Sequence, residues 1–136
     1  MKSLIYVSNE TQVSALPSGS VIPLGNIVRR YGRNIQLVGT SILLRGEGYY
    51  DINANVTFTP TSTTAEVYTV TIYQNGVPLE GAKSSMTAGA RVTLPVQGVA
   101  KLECCDKTAN ITFVITATTS TNTVTLNNVS AIVEKS

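Results

Sequence analysis

The stretch GYYDINANVTFTP, residues 48–60, decides the fold, because its apolar and polar side chains alternate strictly over ten positions. Alternation with a period of two is typical of a β-strand that buries one face. The apolar positions, which we expect to face the core, are Tyr50, Ile52, Ala54, Val56 and Phe58. The opposite positions, which suit either solvent or a subunit contact, are Asp51, Asn53, Asn55, Thr57 and Thr59.

The next strand signal lies immediately C-terminal to this stretch. Residues 66–73 alternate again and lead into Asn75-Gly76, a pair that favours the positive φ angles of a tight hairpin turn. Pro78 and Gly81 follow, and both residues interrupt regular structure. The pattern therefore predicts a hairpin turn after this strand, and then a break in the chain.

Four further strands are predicted in the C-terminal half. Residues 91–96 form the first, and Pro95 places it at a sheet edge or in a bulge, because proline cannot donate to the hydrogen-bond ladder. Residues 99–105 and 111–115 predict the second and third strands, and residues 123–134 predict the last.

The last strand changes its apolar phase halfway along. Val124 and Leu126 share one parity, whereas Val129, Ala131 and Val133 share the other. One extra residue in the strand returns the later apolar side chains to the core face. The sequence therefore predicts a β-bulge at Asn127-Asn128.

The N-terminal side holds shorter strand signals, at residues 4–7, 21–28 and 35–44. The whole chain then reads as about ten antiparallel strands at regular spacing, a pattern typical of a sandwich or jelly roll. We expect one all-β domain over residues 1–136, in which residues 1–20 form an N-terminal strand and loop arm.

Composition supports this fold class and excludes several others. Of 136 residues, 45 are β-branched (19 Thr, 16 Val and 10 Ile), which suits a pleated surface and argues against a helical bundle. Charged residues make up 13%, against about 25% in an average globular protein. The mean hydropathy is +0.15. So few charges favour an oligomer, because a charge-poor surface is more stable in a subunit contact than in water.

Several function classes lack the residues that they need. The chain contains no histidine, which removes imidazole from acid–base catalysis and from metal binding. The net charge of +2 is too small for a general nucleic-acid binder. No apolar run approaches the roughly 20 residues of a membrane span, and the short apolar start at residues 4–7 does not resemble a signal peptide. We therefore expect synthesis in the cytoplasm, with no nucleic-acid or membrane partner.

Several segments together resemble the trimeric TNF-like jelly roll of the complement-type globular heads. The segment at residues 48–58 resembles the Gly-x-Tyr strand of that superfamily, and residues 70–76 resemble its strand that ends in Asn-Gly. The threonine-rich segment at residues 124–133 stands where the closing strand of the family does. The resemblance implies a homotrimeric TNF-like jelly-roll sandwich.

A second resemblance covers nearly the whole chain and rests on residues 22–32 and 34–37, IPLGNIVRRYG and NIQL. These are similar to small phage-encoded and prophage-encoded proteins of Gram-positive hosts, and through them to the C-terminal domain of collagen-like spore-surface glycoproteins. The group implies a jelly-roll trimer that serves as a particle-surface module. This sequence has no Gly-X-Y collagen stalk, which favours a compact virion component.

The arginines Arg29, Arg30 and Arg33, with Arg45 nearby, form the one basic cluster of the sequence. They suit docking on an acidic surface, such as a capsid shell or a glycan carboxylate. The alternative is a solvated loop that makes ion pairs between subunits.

The trimer interface is assigned to Tyr49, Asn53, Lys101 and Glu103. Lys101 and Glu103 share the polar face of one predicted strand, which in the resembled fold commonly approaches the threefold axis. We expect the two side chains to pair between neighbouring subunits. The alternative places the contact on the face that bears Tyr49 and Asn53.

No residues in the sequence form a catalytic constellation. Cys104 and Cys105 are adjacent, and the geometry of a disulfide makes pairing of neighbours rare, so we expect free thiols. Glu47 and Asp51 do not form a same-face pair of carboxylates, and Asp106 with Asn110 offers too few oxygens for calcium. We expect no enzyme activity, no cofactor and no metal.

The sequence thus predicts a non-enzymatic virion structural protein, a trimeric capsid-decoration or head-fibre module on the surface of a phage particle. Its partners would be two further copies of the chain and other virion proteins, such as the major capsid protein. The alternative is a trimeric receptor-binding or glycan-binding tip of a phage tail or of a cell or spore surface. Stacking platforms for a host glycan would come from the tyrosines Tyr6, Tyr31, Tyr49, Tyr68 and Tyr73.

Overall fold

The computed structural model describes residues 2–103, 108–119 and 121–135, which form twelve β-strands. Within these residues there is no helix long and apolar enough to cross a membrane. The strands are β1 (Ser3–Asn9), β2 (Val13–Pro17), β3 (Ser20–Val21), β4 (Asn26–Tyr31), β5 (Ile35–Val38), β6 (Ser41–Arg45), β7 (Gly48–Pro60), β8 (Glu66–Gln74), β9 (Val77–Ala88), β10 (Val92–Leu102), β11 (Thr108–Ala117) and β12 (Thr123–Lys135).

The strands form two six-stranded sheets that pack face to face. Sheet A has the order β10-β7-β12-β1-β4, with β2 also paired to β12. Sheet B has the order β5-β6-β11-β8-β9, with β3 also paired to β11. Every pairing is antiparallel. The predicted all-β sandwich is confirmed, with twelve strands rather than about ten.

The core lies between the sheets and is built from the alternating positions that the sequence indicates. All five apolar positions of β7 from Tyr50 to Phe58 are buried. The ring of Phe58 lies 5.3 Å from that of Tyr68 on β8, tilted by 59°, so an interior strand of each sheet contributes to an aromatic pair.

The bulge predicted in the last strand is confirmed. Leu126 of β12 pairs with Phe58 of β7, and Asn128 pairs with Thr57, so Asn127 is the extra residue. The side-chain amide of Asn127 accepts a hydrogen bond from the Thr59 hydroxyl at 2.8 Å. The bulge lets apolar residues on both sides of it face the core.

Two further local predictions are confirmed. Asn75 and Gly76 have φ angles of 53° and 78° and turn the chain between β8 and β9. Pro95 lies in β10, which is an edge strand of sheet A, so its missing donor leaves no gap between two strands.

The structure corrects the prediction in the segment after this turn. Pro78 and Gly81 do not break the chain but lie inside β9, the edge strand of sheet B. An edge strand tolerates a proline, and the φ of 77° at Gly81 lets the strand bend. The pairing of β9 with β8 shifts register between Thr71 and Tyr73.

Strand boundaries differ from the sequence prediction in three other places. The strands predicted at residues 91–96 and 99–105 are one strand, β10, because the run continues through Gly98 beside Ala82. The strand predicted at residues 21–28 is two strands, β3 and β4, which lie in different sheets, and the strand predicted at residues 35–44 is the hairpin β5–β6. The N-terminal arm contributes β1 and β2 to sheet A. Cys104 and Cys105 lie outside the described residues.

Candidate functional site

The outward face of sheet A, called here the sheet A face, presents the polar parity of its long strands. Asn53 of β7 lies opposite Gln97 of β10 on one side and Ile132 of β12 on the other. Ile132 in turn lies opposite Tyr6 of β1. Val99 is 55% exposed and Ile132 is 38% exposed on this face. The face therefore combines uncharged amides with solvent-exposed apolar side chains.

Three of the four residues assigned to a trimer interface lie together at one end of the sheet A face. Lys101 pairs in register with Tyr49, and its Nζ lies 5.4 Å from the centroid of the tyrosine ring. The same Nζ lies 3.7 Å from Oε1 of Glu103. Tyr49, followed by Glu103, raises the pKa of the Lys101 ammonium. These residues form a solvent-exposed cluster on a sheet edge.

Asn53, the fourth residue, lies on the same face but further along the strands. Lys101 and Glu103 contact each other within one chain, and their side chains are 51% and 69% exposed. Pairing between subunits stays a prediction, as does the assignment of these residues to an interface.

A groove of about 510 Å³ runs beside Asn53, where the edge strands of the two sheets meet. Asn53, Asn55 and Gln97 supply side-chain amides from sheet A, and Lys83 and Ser84 of β9 form the opposite wall. Amides both donate and accept hydrogen bonds, so this lining suits a hydroxyl-rich ligand or the polar surface of another subunit.

Two carboxylates lie next to the groove at directly opposed positions. Asp51 of β7 pairs in register with Glu134 of β12, and both side chains are exposed. In the described part of the chain the one ion pair within 4.0 Å joins Lys101 to Glu103, so neither carboxylate has a cationic partner there. This pair was not predicted from the sequence, because the two residues are 83 positions apart and only the sheet register brings them together.

The arginine cluster lies on β4 and the turn after it, at the opposite edge of sheet A from β10. All six residues of β4 are exposed, and so is Arg33. Nη1 of Arg29 donates to the carbonyl of Val28 at 2.9 Å, and Nε of Arg30 donates to the carbonyl of Ile35 at 2.8 Å. Among the described residues no carboxylate lies within 4.0 Å of these arginines. Arg29 and Arg30 therefore lie on an edge strand rather than in a loop, and Arg33 lies in the turn that follows it.

Arg45 ends β6 in the other sheet, and the structure brings its backbone to this turn. The N–H of Arg45 donates to the carbonyl of Asn34 at 2.7 Å, and the Asn34 amide donates to the carbonyl of Arg45 at 2.7 Å. The apolar side chains beside the arginines were not predicted to be part of this cluster. Ile27, Val28 and Tyr31 are 44%, 42% and 51% exposed.

The five candidate tyrosines fall into distinct environments. Tyr68 is fully buried, and burial, followed by the nearby Glu66, raises the pKa of its hydroxyl to about 12. It cannot stack on a ligand. Tyr31 and Tyr49 are exposed on sheet A, and Tyr6 and Tyr73 are half-buried. Among the described residues no three His, Cys, Asp or Glu side chains cluster as a metal site would require. Asp106 lies outside these residues.

Comparison with solved structures defines the class of fold. The crystal structure of murine APRIL matches over the full length of both chains, with a TM-score of 0.66 and 16% identity. The globular domain of the zebrafish complement 1qA protein matches 99% of this chain and 96% of its own, with a TM-score of 0.62 and 14% identity. The chain therefore has the TNF-like jelly-roll fold that the sequence predicted.

The PRD1 vertex protein P5 also shares this fold. It matches 98% of this chain and 72% of its own, with a TM-score of 0.55 and 13% identity. At such identities the similarity concerns the fold alone. No protein-family model and no curated protein sequence matches this chain.

Proposed function

We propose that this chain is a non-enzymatic virion structural protein, a homotrimeric capsid-decoration or head-fibre module on a phage particle. The observation that carries the proposal is the sheet A face, where exposed Val99 and Ile132 lie beside the amides of Asn53 and Gln97. A face of this composition suits burial against another copy of the chain better than permanent exposure to water. The TNF-like fold shared with the PRD1 vertex protein P5 is consistent with such a role.

A trimer fits the geometry because each of three subunits can make the same contact with its neighbour. In a cyclic assembly each subunit offers one surface to its neighbour and receives the neighbour's other surface, and rotation closes the ring. The sheet A face and the adjoining β9–β10 edge are different surfaces of one subunit, so they can serve as the two halves of such a contact. Virion proteins such as the major capsid protein are the further partners that we propose.

Two measurements test this proposal. Light scattering of the purified chain should give a mass near three times 14.4 kDa at all concentrations above the dissociation constant. Mass spectrometry should detect the chain in purified phage particles, and cryo-EM should place it on their outer surface. A monomer at every concentration overturns the trimer, and particles that lack the chain overturn the virion role.

The second candidate function is a glycan-binding or receptor-binding tip. The groove beside Asn53 favours it, because three amides and Lys83 line a hollow of about 510 Å³ near the half-buried ring of Tyr6. If the sheet A face is buried in the trimer, the groove is covered, so the two functions compete for one surface.

Titration of the chain with neutral and acidic oligosaccharides, followed by NMR, separates the candidates. A glycan site predicts shifts around the groove that disappear in Asn53→Ala and persist in Asn128→Ala, a matched change elsewhere on the same face. Unchanged spectra with a trimeric mass support the structural role.

A further inference from the structure

Strand β4 leaves one edge of sheet A without a partner. Within the described residues it pairs only with β1, and all six of its side chains are exposed. An unpaired strand edge presents a row of backbone donors and acceptors to which an extended segment can add. Ile27, Val28 and Tyr31 supply exposed apolar contacts along the same edge.

All the charged residues of this edge are positive. Arg29, Arg30 and Arg33 are three of the ten cationic residues of the chain, and they occur within five positions. Without them the net charge of +2 becomes −1. No acidic residue occurs between Thr11 and Gly46, so the arginines have no local counter-charge in the sequence.

The edge is held in place at both ends. Gly25, at φ 75°, precedes β4, and a side chain there would collide with the backbone of Ser8 and Asn9. Gly32, at φ 82°, follows β4, and a side chain there would collide with Ser3. Both glycines bring the chain close against β1 or its ends. A strand that is fixed before binding loses less conformational entropy when a partner docks.

The arginines also discriminate between partners. Two copies of β4 that met edge to edge would bring arginines together, and charged edge residues are a known protection against such self-pairing. The same charges attract an acidic segment, since guanidinium groups form paired hydrogen bonds with carboxylates. The extended shape of the edge fits a polypeptide strand better than a branched glycan.

We propose that β4 is a docking edge to which an acidic, extended segment of a partner protein adds as a further strand of sheet A. The inference rests on the proposed particle function, for which it names the attachment surface. The pairing of β1 with β4 shifts register at a bulge between Tyr6 and Val7, which shortens the length of β4 available for regular pairing. The added strand is therefore short. Three copies in a trimer would compensate through multivalent attachment.

The direct test uses a synthetic peptide of about eight residues, a common strand length, in which Glu alternates with Val or Thr. We expect it to bind the full chain in fluorescence anisotropy and to shift the amide resonances of β4 and β1 in NMR. The same peptide with Lys in place of Glu should not bind. A peptide methylated at alternate backbone nitrogens should also fail, because it cannot form the ladder.

Matched variants locate the site. Arg29→Glu should weaken binding of the acidic peptide at least roughly tenfold, because it replaces a charge-assisted contact with repulsion. Arg91→Glu makes the same charge change at an exposed site outside β4 and should leave affinity within about twofold. Urea unfolding of both variants checks that each is folded.

Each outcome has a defined meaning. Equal binding of the methylated peptide, or equal losses in Arg29→Glu and Arg91→Glu, overturns strand addition at β4. Equally tight binding of a heparin oligosaccharide through Arg29 also overturns it, in favour of a general anion surface. If the acidic peptide binds but purified phage particles lack the chain, the docking edge is supported and only the virion role is overturned.

Discussion

Asp51 and Glu134 lie directly opposite each other on β7 and β12, with both carboxylates exposed on the sheet A face. Like charges at directly opposed positions destabilise a pair of antiparallel strands. Within the described residues no cationic side chain approaches either carboxylate to 4.0 Å. The single subunit therefore carries a local electrostatic cost where β7 pairs with the C-terminal end of β12.

Removal of one charge of this pair should stabilise the subunit. We expect Glu134→Gln to raise the free energy of unfolding by about 0.2–1 kcal/mol, the usual scale of cross-strand pairs. Asp51→Asn should give a similar gain, and the double variant should add little, because either change already removes the repulsion. Urea unfolding at low salt measures the effect. A loss of stability in both single variants would contradict this account.

Truncation of Phe58 should open a cavity at the centre of the sandwich. Phe58 is fully buried, and its ring lies 5.3 Å from that of Tyr68. We expect Phe58→Ala to lower the free energy of unfolding by roughly 3–5 kcal/mol. Tyr31→Ala, which removes a ring that is 51% exposed on β4, should change it by less than about 0.5 kcal/mol. Equal losses in the two variants would show that β7 does not anchor the core.

Loss of the Glu103 carboxylate tests where subunits meet. The Lys101–Glu103 pair is exposed in one chain, so Glu103→Ala should change subunit stability by less than about 1 kcal/mol. The mass in light scattering is the second readout. Dissociation of the trimer in Glu103→Ala would place the pair in a buried contact. A trimer that survives this change but is lost in Tyr49→Ala would place the contact at Tyr49 and Asn53.

Glu66 should make stability depend on acidic pH. Its carboxylate accepts hydrogen bonds from the Asn122 amide at 2.8 Å and the Thr119 N–H at 3.3 Å. The bond from Asn122 contributes most to lowering the pKa of Glu66, the bonds from Thr119 add to it, and partial desolvation opposes them. Because the folded-state pKa lies below the unfolded value, the stabilisation is complete above the unfolded pKa. It is lost as the pH falls through the folded one.

We therefore expect the Tm of Glu66→Gln to fall less steeply than that of the native chain below about pH 4. Glu80→Gln, at an exposed site on β9, should show the same dependence of Tm on pH as the native chain. Tm measured at intervals across the acidic range provides the comparison. Identical slopes for the native chain and Glu66→Gln would contradict the role of this carboxylate.

Two glycines of similar φ allow backbone strain to be separated from close packing. Gly25 has a φ of 75° and a Cβ there would lie 2.7 Å from Cα of Asn9, whereas Gly76 has a φ of 78° and open space around it. Both substitutions by alanine carry the strain of a positive φ, about 1 kcal/mol. Gly25→Ala should be more destabilising by a further 1–3 kcal/mol or so, because β4 must move away from β1. Equal effects would mean that β4 shifts freely.

Features fixed by neighbouring residues could be predicted from the sequence. The alternation of β7, the turn at Asn75-Gly76, the edge position of Pro95 and the bulge at Asn127 each depend on a short segment and its steric rules. The resemblance to TNF-like domains then supplied the jelly-roll fold.

Features that depend on pairing between distant segments could not be predicted. Pro78 and Gly81 signal a break unless the strand is known to lie at an edge, where both are tolerated. Lys135 is only 9% exposed, with its Nζ 6.0 Å from the ring centroid of Tyr50, although lysine is normally a surface residue. The opposition of Asp51 and Glu134 likewise depends on a register that no local pattern contains.

The bulge at Asn127 has a consequence for how the chain tolerates changes of length. Deletion of that residue would leave every later side chain chemically intact but shift it by one position against β7. Val129, Ala131 and Val133 would then point to water, and the polar residues between them to the core. At this position the number of residues, rather than their identity, determines which of the later side chains face the core. A length change at the open turn beside Gly39 would leave that phase untouched.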